Sequence, residues 1–413
     1  MKIGILTFHK AYNYGAVLQC YSLQKKLSQD FPNDTVEVVN YASKNMIGNY
    51  HLSRFEAIFG QKGAPDKPSF TLILKRIASD IVHWKSRSAK RLQAKKRITN
   101  FKNMQKHLTL SEAVLVSDDP AEFSAFLDSL GYDVLIVGSD AIWNDNQTSV
   151  PNLYFLHDVH CRNKFSYAAS TYGMDYSSFD EKRLSYVKES LNGFRFIGVR
   201  DSVTENYVEN CSQDASDKLF HTCDPSIFLN LQELPVDIAA LKEKLKKKGV
   251  DFSKPIIGLM CDNWLAKKVR SELGEGYQYV SVYVYTETAD VFLEELEPFE
   301  WARIFSLFSA TFTHYFHGTL FSLKNGTLTY AIEKKSKYNQ NYKTKIEDVL
   351  DRLHLIDSNY YKFDDMMPED WSNISENIAH ADREKLKHEY EESLAREAES
   401  YERFRAKLKE VTK

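Results

Sequence analysis

Four short stretches hold the residue types from which a site could be built. Residues 311–323 read as an apolar strand, a break at Phe316-His317-Gly318 and the first turns of a helix. In open α/β sheets ligands meet the chain at such strand ends, and the free N–H groups of a helix start favour an anion. His317 stands there with a side chain that titrates near neutral pH, beside Gly318; a buried His at an ordinary turn fits the same residues. Near the N-terminus, the loop HKAYNYGA carries Asn13 and Gly15 between a strand-like run and a helix. Gly15 allows a ligand to approach the backbone closely, or serves turn geometry alone. In GSDAIWN, Ser139 and Asp140 offer hydrogen-bonding groups and Trp143 an aromatic face, a set suited to a sugar. An Asp-capped helix start with a core Trp fits equally. Arg200-Asp201 closes a further apolar run, either as an anion grip or as a plain ion pair.

The elements that must position these residues alternate in type. Apolar runs at 3–8, 35–40, 132–137, 165–169, 194–199 and 220–223 read as buried strands, with helical spacing between them. The pattern is βαβ and predicts a parallel sheet. Pro235, the charged helix LKEKLKKKG and Pro255 mark a boundary. Beyond it the alternation resumes, with strands near 256–260, 278–285, 311–314 and 327–332. We therefore divide the chain at 1–235 and 236–371, with 372–413 as a charged amphipathic C-terminal helix. Its apolar stripe is Leu386, Tyr390, Leu394, Tyr401, Phe404, Leu408 and Val411. Two α/β halves bind most naturally in the cleft between them. The loop around Gly15 is not G-x-G-x-x-G, so it does not support a dinucleotide fingerprint.

Composition narrows the classes. A length of 413 residues favours two domains, and a net charge of −3 does not suggest a nucleic-acid binder. Five cysteines without a C-x-x-C pair suit a reducing compartment and argue against a zinc site. MKIGILTFHK enters a strand-like run directly, without a signal-peptide pattern, and no window has the apolar length of a membrane span. These features predict a cytoplasmic protein. Between 75 and 106 the chain is strongly basic with helical apolar spacing, which reads as a solvated helix face or as a surface that rests on an anionic membrane.

Taken together, TFHKAYNYGAVLQCYSLQ, VGSDAIWN, FSYAASTYG, GVRDSV, CDPSIFL and THYFHGTLFSL resemble, in order, the polysaccharide pyruvyl transferase family. The resemblance spans roughly residues 1–356. It implies two Rossmann-like domains in a glycosyltransferase-B-like arrangement. It also implies transfer of pyruvate from phosphoenolpyruvate to two hydroxyls of a sugar in a polysaccharide precursor, as a cyclic ketal, with release of phosphate. Neither a metal nor a further cofactor is implied. The acceptor would be a saccharide, lipid-linked, at the inner face of the cell membrane. By the same resemblance the catalytic positions fall on Arg200 and His317, and a phosphate-binding Lys on Lys337, with Lys335 and Lys334 adjacent. Asn13, Gly15, Ser139, Asp140, Trp143 and Gly318 would complete the substrate site. Family members often carry Gln at the place of Ala141 and Asp-Ser at the place of His314-Tyr315, so the acceptor side of this chain is its own. A nucleotide-sugar glycosyltransferase of the same fold and a non-catalytic member of a polysaccharide assembly complex are the alternative classes.

Overall fold

The computed structural model describes residues 1–50, 96–335 and 342–411. The first half of the chain forms β1 (Lys2–Leu6), β2 (Thr35–Val38), a side pair β3 (Tyr41–Ala42) and β4 (Leu115–Val116), then β5 (Val134–Val137), β6 (Lys164–Ala169), β7 (Phe194–Val199) and β8 (Leu219–His221). Six of these make one parallel sheet in the order β2-β1-β5-β6-β7-β8. Ile3 lies opposite Val36 on one side and Val134 on the other. Ile3, Ile5, Val134 and Ile136 are fully buried, as expected of strands covered on both faces by helices.

The second half builds β9 (Ile256–Met260), β10 (Gln278–Val282), β11 (Val291–Leu293), β12 (Ala310–Thr313), β13 (Leu328–Glu333) and β14 (Tyr360–Lys362). Their order is β11-β10-β9-β12-β13-β14, again parallel. In each sheet the chain steps to one side of its first strand and then returns to the other. The crevice at the carboxyl end of such a reversal is where open α/β sheets hold ligands. Here the two crevices face each other across one cleft.

The halves are joined by more than one linker. After the second sheet come three helices, Pro368–His380, Arg383–Ala398 and Ser400–Glu410. The first break falls at Ala381, where the backbone leaves helical geometry and the Asp382 side chain accepts from the N–H groups of Glu384 and Lys385. The last helix returns to the first sheet. Phe404 packs its ring 4.8 Å from Tyr167 and 5.5 Å from Phe196, between centroids. In the opposite direction, Tyr14 of the helix Tyr14–Asp30 stacks on Trp301 of the second half, 5.0 Å apart and nearly parallel. Its hydroxyl donates to Leu296 O at 2.8 Å.

Of the basic stretch 75–106, residues 75–95 lie outside the described ones. Residues 96–104 are helical and turn inward. Phe101 packs 4.9 Å from Tyr14, Arg97 donates to Tyr12 O and Lys96 pairs with Glu295. Among the described residues no helix is long and apolar enough to cross a membrane.

Candidate active site

Loops at the carboxyl ends of both sheets line a cavity of about 720 Å³ in the cleft. At its centre lies Arg200, one residue past the end of β7 and only 4% exposed. Its Nη2 donates to Asp140 Oδ1 at 2.9 Å and its Nη1 to Asp224 Oδ2 at 2.7 Å, and the guanidinium lies 4.7 Å over the Phe316 ring. The planar fork thus bridges two carboxylates from different loops. Asp140 follows β5 with φ 81°, a left-handed backbone that a non-Gly residue rarely adopts and that clusters at functional sites.

Burial alone would raise the Asp224 carboxyl, but His317 and Arg200 beside it hold it well below the usual carboxylate range. Asp140 is treated alike: burial opposes, and Arg200, Lys345 and His317 prevail, so it too stays ionised. Asp201 next to Arg200 turns away from the cluster's fork. Its Oδ1 accepts from Thr204 N–H and Oγ1–H and caps the helix Ser202–Cys211.

His317 occupies the first turn of the helix Phe316–Lys324, and no side chain caps that helix start. Its Nε2 is buried and lies 3.6 Å from Asp224 Oδ2, just beyond hydrogen-bond length, with no closer partner among the described residues. The opposite edge of the ring rests on Gly15. A Cβ built at Gly15 would sit 2.0 Å from His317 Nδ1, so only Gly lets the two helix starts meet. Gly15→Ala is therefore expected to lower stability by about 1–3 kcal/mol through overpacking and to reduce turnover by displacing the ring. Denaturant midpoints and steady-state rates check both; an unaltered protein would show that the ring has room.

A lysine completes the cluster. Lys345 begins the helix Lys345–Arg352, with Thr344 capping its N-terminus, and its ammonium lies 4.0 Å over the Tyr172 ring. Burial, reinforced by Arg200, pushes it down to about 7 against the pull of Asp201, Asp140 and Asp224. The same helix bolts the halves together: Asp348 Oδ2 accepts from Ser202 N–H, and Arg352 Nη2 donates to Arg200 O.

The sequence-predicted residues divide. Asn13, Gly15, Asp140, Arg200 and His317 all line the cavity. Asn13 Oδ1 accepts from Ala16 N–H and its Nδ2 donates to Tyr283 Oη, so its amide already fixes the helix start. Ser139 is fully buried beneath the cavity. Its N–H donates to the Gln19 side chain and its carbonyl accepts from the Thr7 hydroxyl, so both backbone groups are taken up within the first half rather than by a ligand. Trp143 is 1% exposed and stacked on Phe155 at 5.2 Å; its ring belongs to the core, not to a sugar. Gly318 faces Met260 and Thr313, where a Cβ would come within 2.6 Å and 2.7 Å. Lys335 is away from the cavity, paired with Asp365 at 2.6 Å, and Lys334 sits 4.3 Å over Trp264. Lys337 lies outside the described residues.

A profile of polysaccharide pyruvyl transferases matches residues 13–336, most of the chain. The chain belongs to that family. It is a transferase of pyruvyl groups in polysaccharide formation, and no curated protein matches it in sequence. Solved structures share its fold at low identity. A glycosyltransferase from Rickettsia africae aligns at TM-score 0.53 and 10% identity, over 100% of this chain and 98% of that one. The UDP-GlcNAc 2-epimerase of Neisseria meningitidis bound to UDP-GlcNAc aligns at 0.52 and 10%, over 99% and 100%. HepE of Anabaena with UDP and glucose aligns at 0.52 and 8%, over 97% and 95%. The architecture of this pyruvyl transferase is thus glycosyltransferase-B-like, two Rossmann-like domains closed by C-terminal helices.

Sequence reasoning missed Asp224 and Lys345 in the pyruvyl transferase cluster. Asp224-Pro225 reads in the sequence as the flank of a strand and as part of CDPSIFL, with no site role given to the carboxylate. For Lys345 a signal existed, since Thr344 and Glu347 have the spacing of a capping box and mark a helix start at the cleft. At the mouth of the cavity His314 Nε2 lies 3.5 Å from Asp262 and its ring stacks on Trp264. Of these, only His314 stands out in the sequence, with Tyr315 and Ala141, as a departure from the pattern the resemblance implies.

Proposed function

We propose that the protein transfers pyruvate from phosphoenolpyruvate to two hydroxyls of a saccharide, forming a cyclic ketal and releasing phosphate. The observation that carries this reading is the buried His317 Nε2, with no partner within hydrogen-bond length among the described residues, between ionised Asp224 and an uncapped helix start. The helix start and the Lys345 ammonium suit the phosphate, since N–H groups and a point charge both favour a dianion. Arg200 Nε, buried and without a partner among the described residues, is left to suit the carboxylate. Protonated His317 has its counter-charge in Asp224 and delivers a proton to the methylene carbon. A sugar oxygen bonds to C2, the C2–O bond to phosphate breaks with its electron pair leaving on phosphate, and the second hydroxyl oxygen closes the ketal. Of the two hydroxyl protons, one replaces the proton His317 gave and the other leaves with phosphate. The acceptor is a lipid-linked saccharide at the inner membrane face, and its sugar fills the part of the cavity beyond the small donor.

Phosphate release from phosphoenolpyruvate in the presence of lipid-linked oligosaccharides tests the reading. Sugar transfer from a nucleotide sugar, with the nucleotide as the leaving group and no phosphate released from phosphoenolpyruvate, overturns it in favour of a glycosyltransferase.

The lysine adds a pH signature. A Lys held at about 7 is charged below that pH and neutral above it, so anion binding that uses it weakens as pH rises through neutrality. Sulfate is the suitable probe because its own charge is constant over that range. Its affinity is expected to fall by about tenfold from pH 6 to pH 8, and Lys345→Gln to flatten the profile. An equal pH dependence in that variant would remove Lys345 from the site.

A further inference from the structure

Behind the cleft, at the other end of the His317 helix, a second cavity of about 450 Å³ gathers cations that the pyruvyl transfer reaction does not use. Arg303, Lys324 and Lys387 line it, with Glu391 as the one carboxylate among its lining residues. Elsewhere on this domain exposed cations find close partners: Lys244 meets Glu300 at 2.6 Å and Arg270 meets Glu275 at 2.7 Å. Here they do not. Among the described residues no carboxylate comes within 4.0 Å of Arg303 or Lys324, and Arg303 Nε is buried without a partner. Among the described residues Lys324 donates to the Ile227 carbonyl alone, at 2.7 Å, and burial pushes it down to about 8. Lys387 reaches Glu391 at the 4.0 Å limit of an ion pair, its stem packed against Gly326. Three half-buried cations against one carboxylate leave an excess of positive charge in a walled space, which an anion would neutralise.

We propose that this cavity is a second anion site that takes a phosphate dianion, held by Arg303, Lys324 and Lys387. Its place in the chain gives it leverage. One wall is the crossing from the first half to the second, Ile227 to Gln232, and the opposite wall is the helix Arg383–Ala398 that leads the chain back. An anion bound between them ties both crossings together. Lys324 and His317 sit on one helix, seven residues or about 10 Å apart along its axis. Occupancy at one end therefore bears on the position of the other. The phosphate comes either free from solution or from a lipid headgroup.

The experiment separates the two anion sites and the two sources. Inorganic phosphate is titrated calorimetrically into the wild type, into Lys345→Gln and into the double variant Arg303→Gln/Lys387→Gln. All three are compared with phosphatidic-acid and phosphatidylcholine vesicles at low salt. Two phosphate sites are expected in the wild type. The double variant should lose one of them, or bind it about tenfold or more weakly, while Lys345→Gln retains it. Loss seen only with phosphatidic-acid vesicles assigns the site to a lipid phosphate. Unfolding temperatures without phosphate verify that the double variant folds, and Arg303→Gln alone repeats the titration if it does not. Unchanged binding of both phosphate and vesicles in the folded variant overturns the proposal.

Discussion

His317→Asn is expected to leave a folded protein that binds phosphoenolpyruvate but turns it over about 10²–10⁴-fold more slowly, the usual loss for a general acid. The fold should survive because His317 sits at a helix start, 12% exposed, with no partner within hydrogen-bond length of its Nε2 among the described residues. Binding should survive because the helix N–H groups, Lys345 and Arg200 remain. Single-turnover rates and equilibrium binding of the donor separate the possibilities. Were His317 only a phosphate ligand, the variant would bind about 1.5–3 kcal/mol more weakly and turn over normally at saturation. That pattern would move the acid elsewhere. Gly15 makes the test cleaner, because the space against its Cα admits the smaller Asn side chain without strain.

Asp224→Asn is expected to be more damaging to stability than to binding. Asp224 is fully buried in its side chain and serves both Arg200 and His317. Removing its charge leaves Arg200 with Asp140 as its remaining partner across the cavity, and breaking a buried ion pair from one side costs about 3–5 kcal/mol. The remaining Asp140 contact places the expectation near the lower end. The sign with pH follows from the depressed carboxyl. Stability from Asp224 is present above the ordinary Asp range near about 4 and is lost as pH falls toward its lower folded value. Between wild type and variant, the gap in denaturant midpoint should accordingly narrow on acidification below about pH 4. A constant gap across that range would mean that Asp224 is not the charge that holds Arg200.

The fold was legible because buried parallel strands announce themselves as continuous apolar runs. Residues 194–199 and 256–260 have the bounds that hydrophobicity alone assigns. The edge strands of the second sheet were not legible: Val291–Leu293 and Tyr360–Lys362 are three residues each, too short for any period to show. In the site, Asp140, Arg200 and His317 were found because each follows a strand, and strand ends in this fold converge. Trp143 misled for a physical reason. An aromatic beside a polar loop has the same local sequence whether its ring faces a ligand or the core, and the direction is set by Phe155 packing from elsewhere. Lys345 was missed because the helix start marked by Thr344 and Glu347 was not read in the sequence.

The return of the last helix to the first sheet has a consequence for how the protein comes off the ribosome. Tyr401, Phe404 and Leu408 share a core with Ile3, Ile5, Val134 and Phe196. The first half therefore emerges before residues 401–408 and cannot shut its aromatic face until they are synthesised. Until then that face leaves apolar rings open to solvent, and a gene fragment ending near the interdomain boundary is expected to yield an aggregating product rather than an autonomous domain. Co-expressing the missing helix as a separate peptide would be the way to rescue such a fragment.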